Sequence, residues 1–270
     1  VGLKPSYSSV SRYGLIDLSM SLDQIGPLTK NVSDSALLFD VIRGKDNNDA
    51  ISQESPKFNL KEIEKIPRGI TIGLLDFPIQ NKQIQSLIDK KVEEASRKYG
   101  WKVKKIKIPY LDLGIETYYP LVYVEFFSTT RRLDGRRYGK RIEEVVGPET
   151  LRRILGGKEI SKAEYTGRYY HLALKAKRLI EEEFSKIFKI VDCVISPTVP
   201  RLPHKIGEKI SVEEMYGYDV LTAPANLAGN CAISIPVGKI DNIPTGLQII
   251  CDKFKEQKLL NIARGVERLG

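Results

Sequence analysis

With 270 residues, 41% of them hydrophobic, the chain is long enough for one large domain or two modest ones and can bury a sizeable core. Lys and Arg outnumber Asp and Glu by 43 to 34, a net +9; an acidic partner such as RNA fits that charge, and so does a solvated basic surface, because the two signs are interspersed. No run approaches the roughly 18 to 20 uncharged apolar residues of a membrane span and no signal-peptide pattern opens the chain, so a soluble, cytoplasmic protein is expected.

Residues 1–30 are rich in Ser, Gly and Pro and read as extended segments and turns packed on something larger. The chain opens on Val1-Gly2-Leu3, in mid-pattern and without Met, and is expected to be a piece of a longer one. Ala36, Leu37, Leu38, Val41 and Ile42 then recur at helical spacing, which predicts a helix from Ser33 to Arg43. Lys45 to Lys65 reads as a surface loop with a short helix. Arg68 to Asp76 alternates as a strand. Ile84, Leu87, Ile88, Val92 and Ala95 mark a helix closed by Gly100, and Trp101 to Ile108 is a second strand. Strand, helix and strand with short links is the pattern of a parallel βαβ unit. The phase slip between Val103 and Ile106 predicts a bulge or fraying.

From Asp112 to Arg132 the chain turns aromatic, with Tyr118, Tyr119, Tyr123, Phe126 and Phe127 around Glu125 and with Pro120 expected near the helix start. Such a stripe is core, or a pocket wall with hydroxyl handles. The basic cluster Arg131, Arg132, Arg136, Arg137, Lys140 and Arg141, broken by Asp134-Gly135, reads as a solvated or partner-facing end. Leu151 to Leu155 is expected to stop at Gly156-Gly157. A long helix through Tyr169, Leu172, Ala176, Leu179, Ile180, Phe184 and Ile187 leads to a buried strand, VDCVISPT. In Ser211 to Pro236, Asp219 precedes a Pro, Gly and Asn-rich turn region and then an alternating strand with Cys231, Ile233 and Ile235. A strand at Gly246 to Cys251 and a helix with Leu259, Leu260, Ile262, Ala263 and Val266 close the chain, so an α/β layered domain is the natural class.

The three cysteines, Cys193, Cys231 and Cys251, sit in apolar runs and suit reduced, buried thiols better than disulfides or a zinc site. There is no GxSxG elbow, Walker A loop or GxGxxG. The two histidines, His171 and His204, are unpromising for a Ser/His/Asp mechanism. A zwitterion can instead be read by an Arg fork, a carboxylate and an aromatic hydroxyl. Arg153, Asp219 and Tyr118 are the candidates. Taken alone, Arg153 reads equally as a surface ion pair and Asp219 as a helix cap or surface turn.

The opening VGLKPSYSSVSRYGLIDLSMSLDQIGPLTKNVSDSALLFDVI resembles the segment that follows the nucleophile in amidase-signature enzymes, and SLDQIGP is especially close to the glutaminase component of the tRNA-dependent amidotransferases that act on glutamyl-tRNA(Gln) and aspartyl-tRNA(Asn). YYPLVYVEFFSTTRRLDGRRYG, LRRILGG, ISPTVPRLPHKIGE, EEMYGYDVLTAPANLAGNCAISIPVG and PTGLQIICDKF resemble successive blocks in order, covering nearly the whole chain. The resemblance implies residues 1–270 as the C-terminal portion of a single amidase-signature domain, with a mixed, mostly parallel sheet covered by helices. It implies a Ser, cis-Ser, Lys triad in the family, to which Lys4, Ser6, Ser8 and Ser9 do not correspond, so no catalytic residue is expected in this chain. It places glutamine recognition on Arg153 and Asp219, with support from Tyr118, while Pro120, Tyr123, Phe126 and Phe127 are larger than the residues common there. It further implies B and C partner subunits, ATP and Mg used by the B subunit, tRNA engaged through the complex, and no cofactor or metal in this chain. Two other readings fit the residues: an amidase-signature hydrolase acting on free amides, and a non-catalytic scaffold half of a split protein. Loss of the other portion would leave an exposed sheet edge and apolar face, for which self-association is expected.

Overall fold

Alternating apolar residues draw six strands into one central sheet, and the helices cover both of its faces. The architecture is that of a computed structural model, which describes residues 1–133, 135, 137, 139–162 and 166–270; Asp134 and Arg136 of the predicted basic stretch lie outside the described residues. The strands are β1 (Gly2–Lys4), β2 (Thr71–Leu75), β3 (Lys102–Ile106), β4 (Cys193–Pro197), β5 (Cys231–Ile240) and β6 (Ile243–Cys251), in the order β1-β5-β6-β4-β2-β3. β2 pairs in parallel with β3 and β4, whereas the β1–β5, β5–β6 and β4–β6 pairings are antiparallel. The expected mixed, helix-covered sheet is present, with its parallel part around the βαβ unit.

Period-two alternation decides which layer each strand residue meets. Cys193, Ile195, Ile233, Ile235, Leu247 and Ile249 face one core, with α1 (Val32–Ile42), α2 (Lys82–Tyr99) and α9 (Glu256–Glu267) packed over it. Val194, Ala232 and Ile250 face the other, against α3 (Gly114–Thr130), α6 (Arg168–Ile187) and α8 (Ala223–Leu227). A strand covered on both faces is apolar throughout, which is why all of β4 is buried. Cys193, Cys231 and Cys251 are free and buried on three neighbouring strands of the first face, and burial raises all three thiols, keeping them protonated and unreactive.

The predicted helices at Ser33 and Ile84 appear as α1 and α2. Asn81 caps α2 by accepting from the amides of Gln83 and Ile84, a contribution of about 1 kcal/mol. The predicted bulge in the second strand is not there: β3 runs in unbroken register from Lys102 to Ile106 beside Thr71 to Leu75. The phase slip comes instead from an edge strand exposed at Lys102, Val103, Lys104 and Lys105, where lysines discourage pairing with another chain. The register shift lies between Pro236 and Gly238 of β5.

The expected stop at Gly156-Gly157 is also wrong. The helix α5 (Pro148–Ile160) runs through both glycines because α3 passes too close for any side chain. A Cβ on Gly157 would stand 2.0 Å from the Tyr123 carbonyl oxygen, and one on Gly156 would stand 2.6 Å from the Tyr123 ring. The predicted turn around PANLAG is the short α8, and Asp219 ends a single 3₁₀ turn, Gly217–Asp219, that follows α7 (Val212–Tyr216).

Candidate functional site

The site lies where α3 faces the turn after α7. A 3₁₀ turn, Leu111–Leu113, feeds α3 at Gly114, so Pro120 lies in the second helical turn rather than at the start; its missing N–H leaves the Glu116 carbonyl without the usual donor. That helix carries Tyr118 and Tyr119 as neighbours. Tyr118, Asp219, Thr222, Ala223, Asn226 and Lys4 line a small cavity of about 180 Å³, below the roughly 300 to 1,000 Å³ of drug-sized sites. A small polar molecule fits such a volume. Larger clefts lie elsewhere, one at the end of β2 and another beside β1, but the three candidate residues are not in their walls.

Asp219 caps no helix. Its Oδ2 accepts from Tyr119 Oη at 3.0 Å, and the Tyr119 ring stacks on Tyr216 with centroids 3.6 Å apart. Burial raises the Asp219 carboxyl above its ordinary range, while the Tyr119 hydrogen bond and the Arg153 charge pull it back. Tyr118 is pushed up by burial and by the Asp219 charge, with Arg153 opposing. The three predicted residues therefore share one electrostatic neighbourhood.

They do not share one wall. Arg153, on α5, stands behind Tyr119, with its guanidinium carbon 5.8 Å from that ring's centroid and its Nε donating to Glu149 Oε1 at 3.0 Å. Glu149 also accepts from Tyr216 Oη at 3.3 Å, and Tyr216 pairs with Tyr123 hydroxyl to hydroxyl. No acceptor among the described residues takes the terminal nitrogens of Arg153, so both remain available to a carboxylate. Tyr119, Tyr123 and Tyr216 form the partition between Arg153 and Asp219. None of Pro120, Tyr123, Phe126 or Phe127 lines the cavity, so their bulk acts behind its wall.

Sequence reading missed Tyr119, Tyr216, Gln24, Asn226 and the placement of Lys4. The capping box between Ser211 and Glu214 was the available signal for a helix delivering Tyr216. Glu125, on α3, is buried and accepts from Ser19 Oγ at 2.8 Å, Ser21 Oγ at 2.6 Å, the Ser21 amide at 2.9 Å and Tyr170 Oη at 3.0 Å. It fastens the segment that leads to Gln24. Among the described residues, no group of three or more His, Cys, Asp or Glu side chains is placed to hold a metal ion, and no helix is long and apolar enough to cross a membrane.

The profile of the Amidase family matches residues 1–260. The glutamyl-tRNA(Gln) amidotransferase glutaminase-type chain of Methanocaldococcus jannaschii, the first of that enzyme's lettered subunits, is 48% identical over 268 residues, which span 99% of this chain and 61% of that protein. The chain of the same name from Methanothermobacter thermautotrophicus is 45% identical over 272 residues, 100% of this chain and 59% of that protein. The present chain thus spans about three fifths of the length of these curated relatives. The crystal structure of the corresponding glutamyl-tRNA(Gln) amidotransferase chain from Thermotoga maritima superposes with a TM-score of 0.83 at 35% identity, over 98% of this chain and 57% of that one. A bacterial aryl acylamidase shares the fold, with a TM-score of 0.81 at 21% identity, over 98% of this chain and 57% of that one.

Proposed function

The chain belongs to the amidase family, and from that premise we propose that it forms the glutamine-recognising part of the ammonia-supplying subunit of the tRNA-dependent amidotransferases. The observation that carries this reading is the cavity shared by Asp219 and Tyr118 with the Arg153 guanidinium one aromatic ring away. Asp219 is the acceptor for an ammonium group, the fork of Arg153 the donor for a carboxylate, and the Tyr118 hydroxyl a polar contact between them. An α-amino acid presents both charges. The relatives named as glutamyl-tRNA(Gln) amidotransferase chains support the assignment.

Hydrolysis of the carboxamide would proceed through an acyl-enzyme on a Ser, cis-Ser, Lys triad, as the family resemblance implies, and no residue of this chain matches that triad. Arg153, Asp219 and Tyr118 would hold and orient the substrate. We expect the 270-residue chain on its own to release no ammonia from glutamine, and glutaminase activity of the chain alone would overturn the division of labour. In the complex, the B subunit would use ATP and Mg to activate misacylated Glu-tRNA(Gln) or Asp-tRNA(Asn), and a C subunit would brace the pair.

The test is ammonia release by the full-length protein in complex with its partners. Arg153→Ala and Asp219→Ala should each lower kcat/KM for glutamine by the equivalent of about 2 to 5 kcal/mol, the cost of removing one partner of a buried charged contact. Unchanged kinetics in both would remove them from the site. Preference for simple aliphatic or aryl amides over glutamine would favour a free-amide hydrolase instead.

A further inference from the structure

Three polar side chains from three separate segments meet beside the Asp219 cavity. Lys4 of β1 donates from Nζ to Gln24 Oε1 at 2.8 Å and to the Pro5 carbonyl at 2.9 Å. Gln24 in turn donates from Nε2 to Asn226 Oδ1 at 2.8 Å. Lys4 and Asn226 both line the cavity, and Gln24 joins them from the loop that Glu125 fastens. The direction of this chain of hydrogen bonds follows from its first member. An ammonium group has donors and no acceptor, so the Gln24 atom facing it is the carbonyl oxygen. The Gln24 amide must then turn its NH₂ towards Asn226, where only the oxygen can accept. What Asn226 has left is its own NH₂, which no acceptor among the described residues takes.

From this juxtaposition we infer that Lys4, acting through Gln24, sets Asn226 as a hydrogen-bond donor of the cavity, one that selects a ligand oxygen. The cavity then carries one acceptor, the Asp219 carboxylate, and one donor of settled polarity. A ligand that offers an ammonium group to the first and a carbonyl or carboxylate oxygen to the second is matched, whereas one that brings an N–H to Asn226 is refused. Lys4 and Gln24 are positioning residues, and Asn226 determines specificity. This assignment rests on the reading of the cavity as the glutamine site.

Steady-state glutaminase kinetics of the full-length protein, in complex with its partner subunits, test it. In Gln24→Glu the carboxylate still accepts from Lys4 but can no longer donate to Asn226; Asn226 must turn its NH₂ to residue 24 and its oxygen to the cavity. The KM for glutamine should rise about tenfold with kcat little changed, the size expected for exchanging a hydrogen bond for two opposed acceptors. Lys4→Met, which frees the Gln24 amide to turn, should raise KM less, and Lys4→Arg, another side chain with donors only, should restore it. A KM unmoved in Gln24→Glu while the wild type uses glutamine overturns the relay and leaves the glutamine reading standing. If the wild type hydrolyses other amides and not glutamine, that reading falls, and the same three variants judge the relay on the amide that is used. If it hydrolyses no amide, both fall.

Discussion

Lys4 shows how much a single residue's surroundings alter its chemistry. Burial lowers its ammonium to about 8, and the nearby Glu256 carboxylate only partly offsets that. The folded state therefore binds the Lys4 proton less readily than the unfolded chain, whose lysines titrate near 10.4. Below about pH 8 the cost of keeping the charge is felt in full; as pH rises towards 10.5 the unfolded state holds the extra proton and the stability lost to Lys4 returns. We expect the urea stability of the wild type to gain about 1 to 2 kcal/mol on Lys4→Met between pH 7.5 and 9.5. Parallel curves for the two proteins would show that Lys4 is solvated. Nothing local in the sequence marks this residue, because its partners come from Gln24 and Asn226, and 202 positions separate those two. Asp219, Arg153 and Tyr118 were legible as charge and hydroxyl types suited to a zwitterion. Which of Tyr118 and Tyr119 meets the Asp219 carboxylate was not, since neighbours on a helix point about 100° apart and only the fold decides which way the helix turns.

At the scale of elements, the contact between α3 and α5 governs how Arg153 approaches the cavity. The two helices close on each other at Gly156 and Gly157, where α5 has no side chain to hold α3 away. Gly157→Ala would drive a methyl group into the Tyr123 carbonyl, so the helices must separate. We expect a loss of about 1 to 3 kcal/mol, the usual cost of overpacking, read as a lower thermal midpoint. Arg153 would shift with α5, raising the glutamine KM of the assembled enzyme. Gly147→Ala is the control: nothing lies within 4 Å of a Cβ there and φ is −72°, so it should leave both measurements unchanged. An equal response from the two variants would mean that the close approach is not what Gly157 provides. The pair Gly156-Gly157 reads in sequence as a helix stop because glycine commonly ends helices, and its use as a packing surface depends on a partner, Tyr123, on a different helix. The same limit explains β3, whose lysines obscured the alternation that β2 and β4 kept. Segments buried on one clear face, such as α2 and α9, were readable from periodicity alone.

Over the whole molecule, burial is uneven. One side of α1 packs Val32, Ala36 and Phe39 into the core, while the opposite side presents Leu37 at 56% exposure and Val41 at 75%, with Leu38 beside them. Leu28, against Gly2 of β1, is 85% exposed, and β1 itself pairs on one edge only, with β5. An open strand edge and apolar side chains in water both favour association with another surface. The net charge of +9 opposes this by repulsion between copies, and that repulsion weakens as salt shortens the screening length. Self-association should therefore grow as salt is raised from about 0.05 to 0.5 M, the range over which screening falls well below 10 Å. Analytical ultracentrifugation of the 270-residue chain, with ANS fluorescence alongside, would measure it. Leu37→Glu combined with Val41→Lys should reduce both signals without lowering the thermal midpoint, because neither side chain belongs to the core. A monodisperse, ANS-silent wild type at high salt would count against α1 as the adhesive surface, and association that persists in the double variant would transfer the role to the edge of β1.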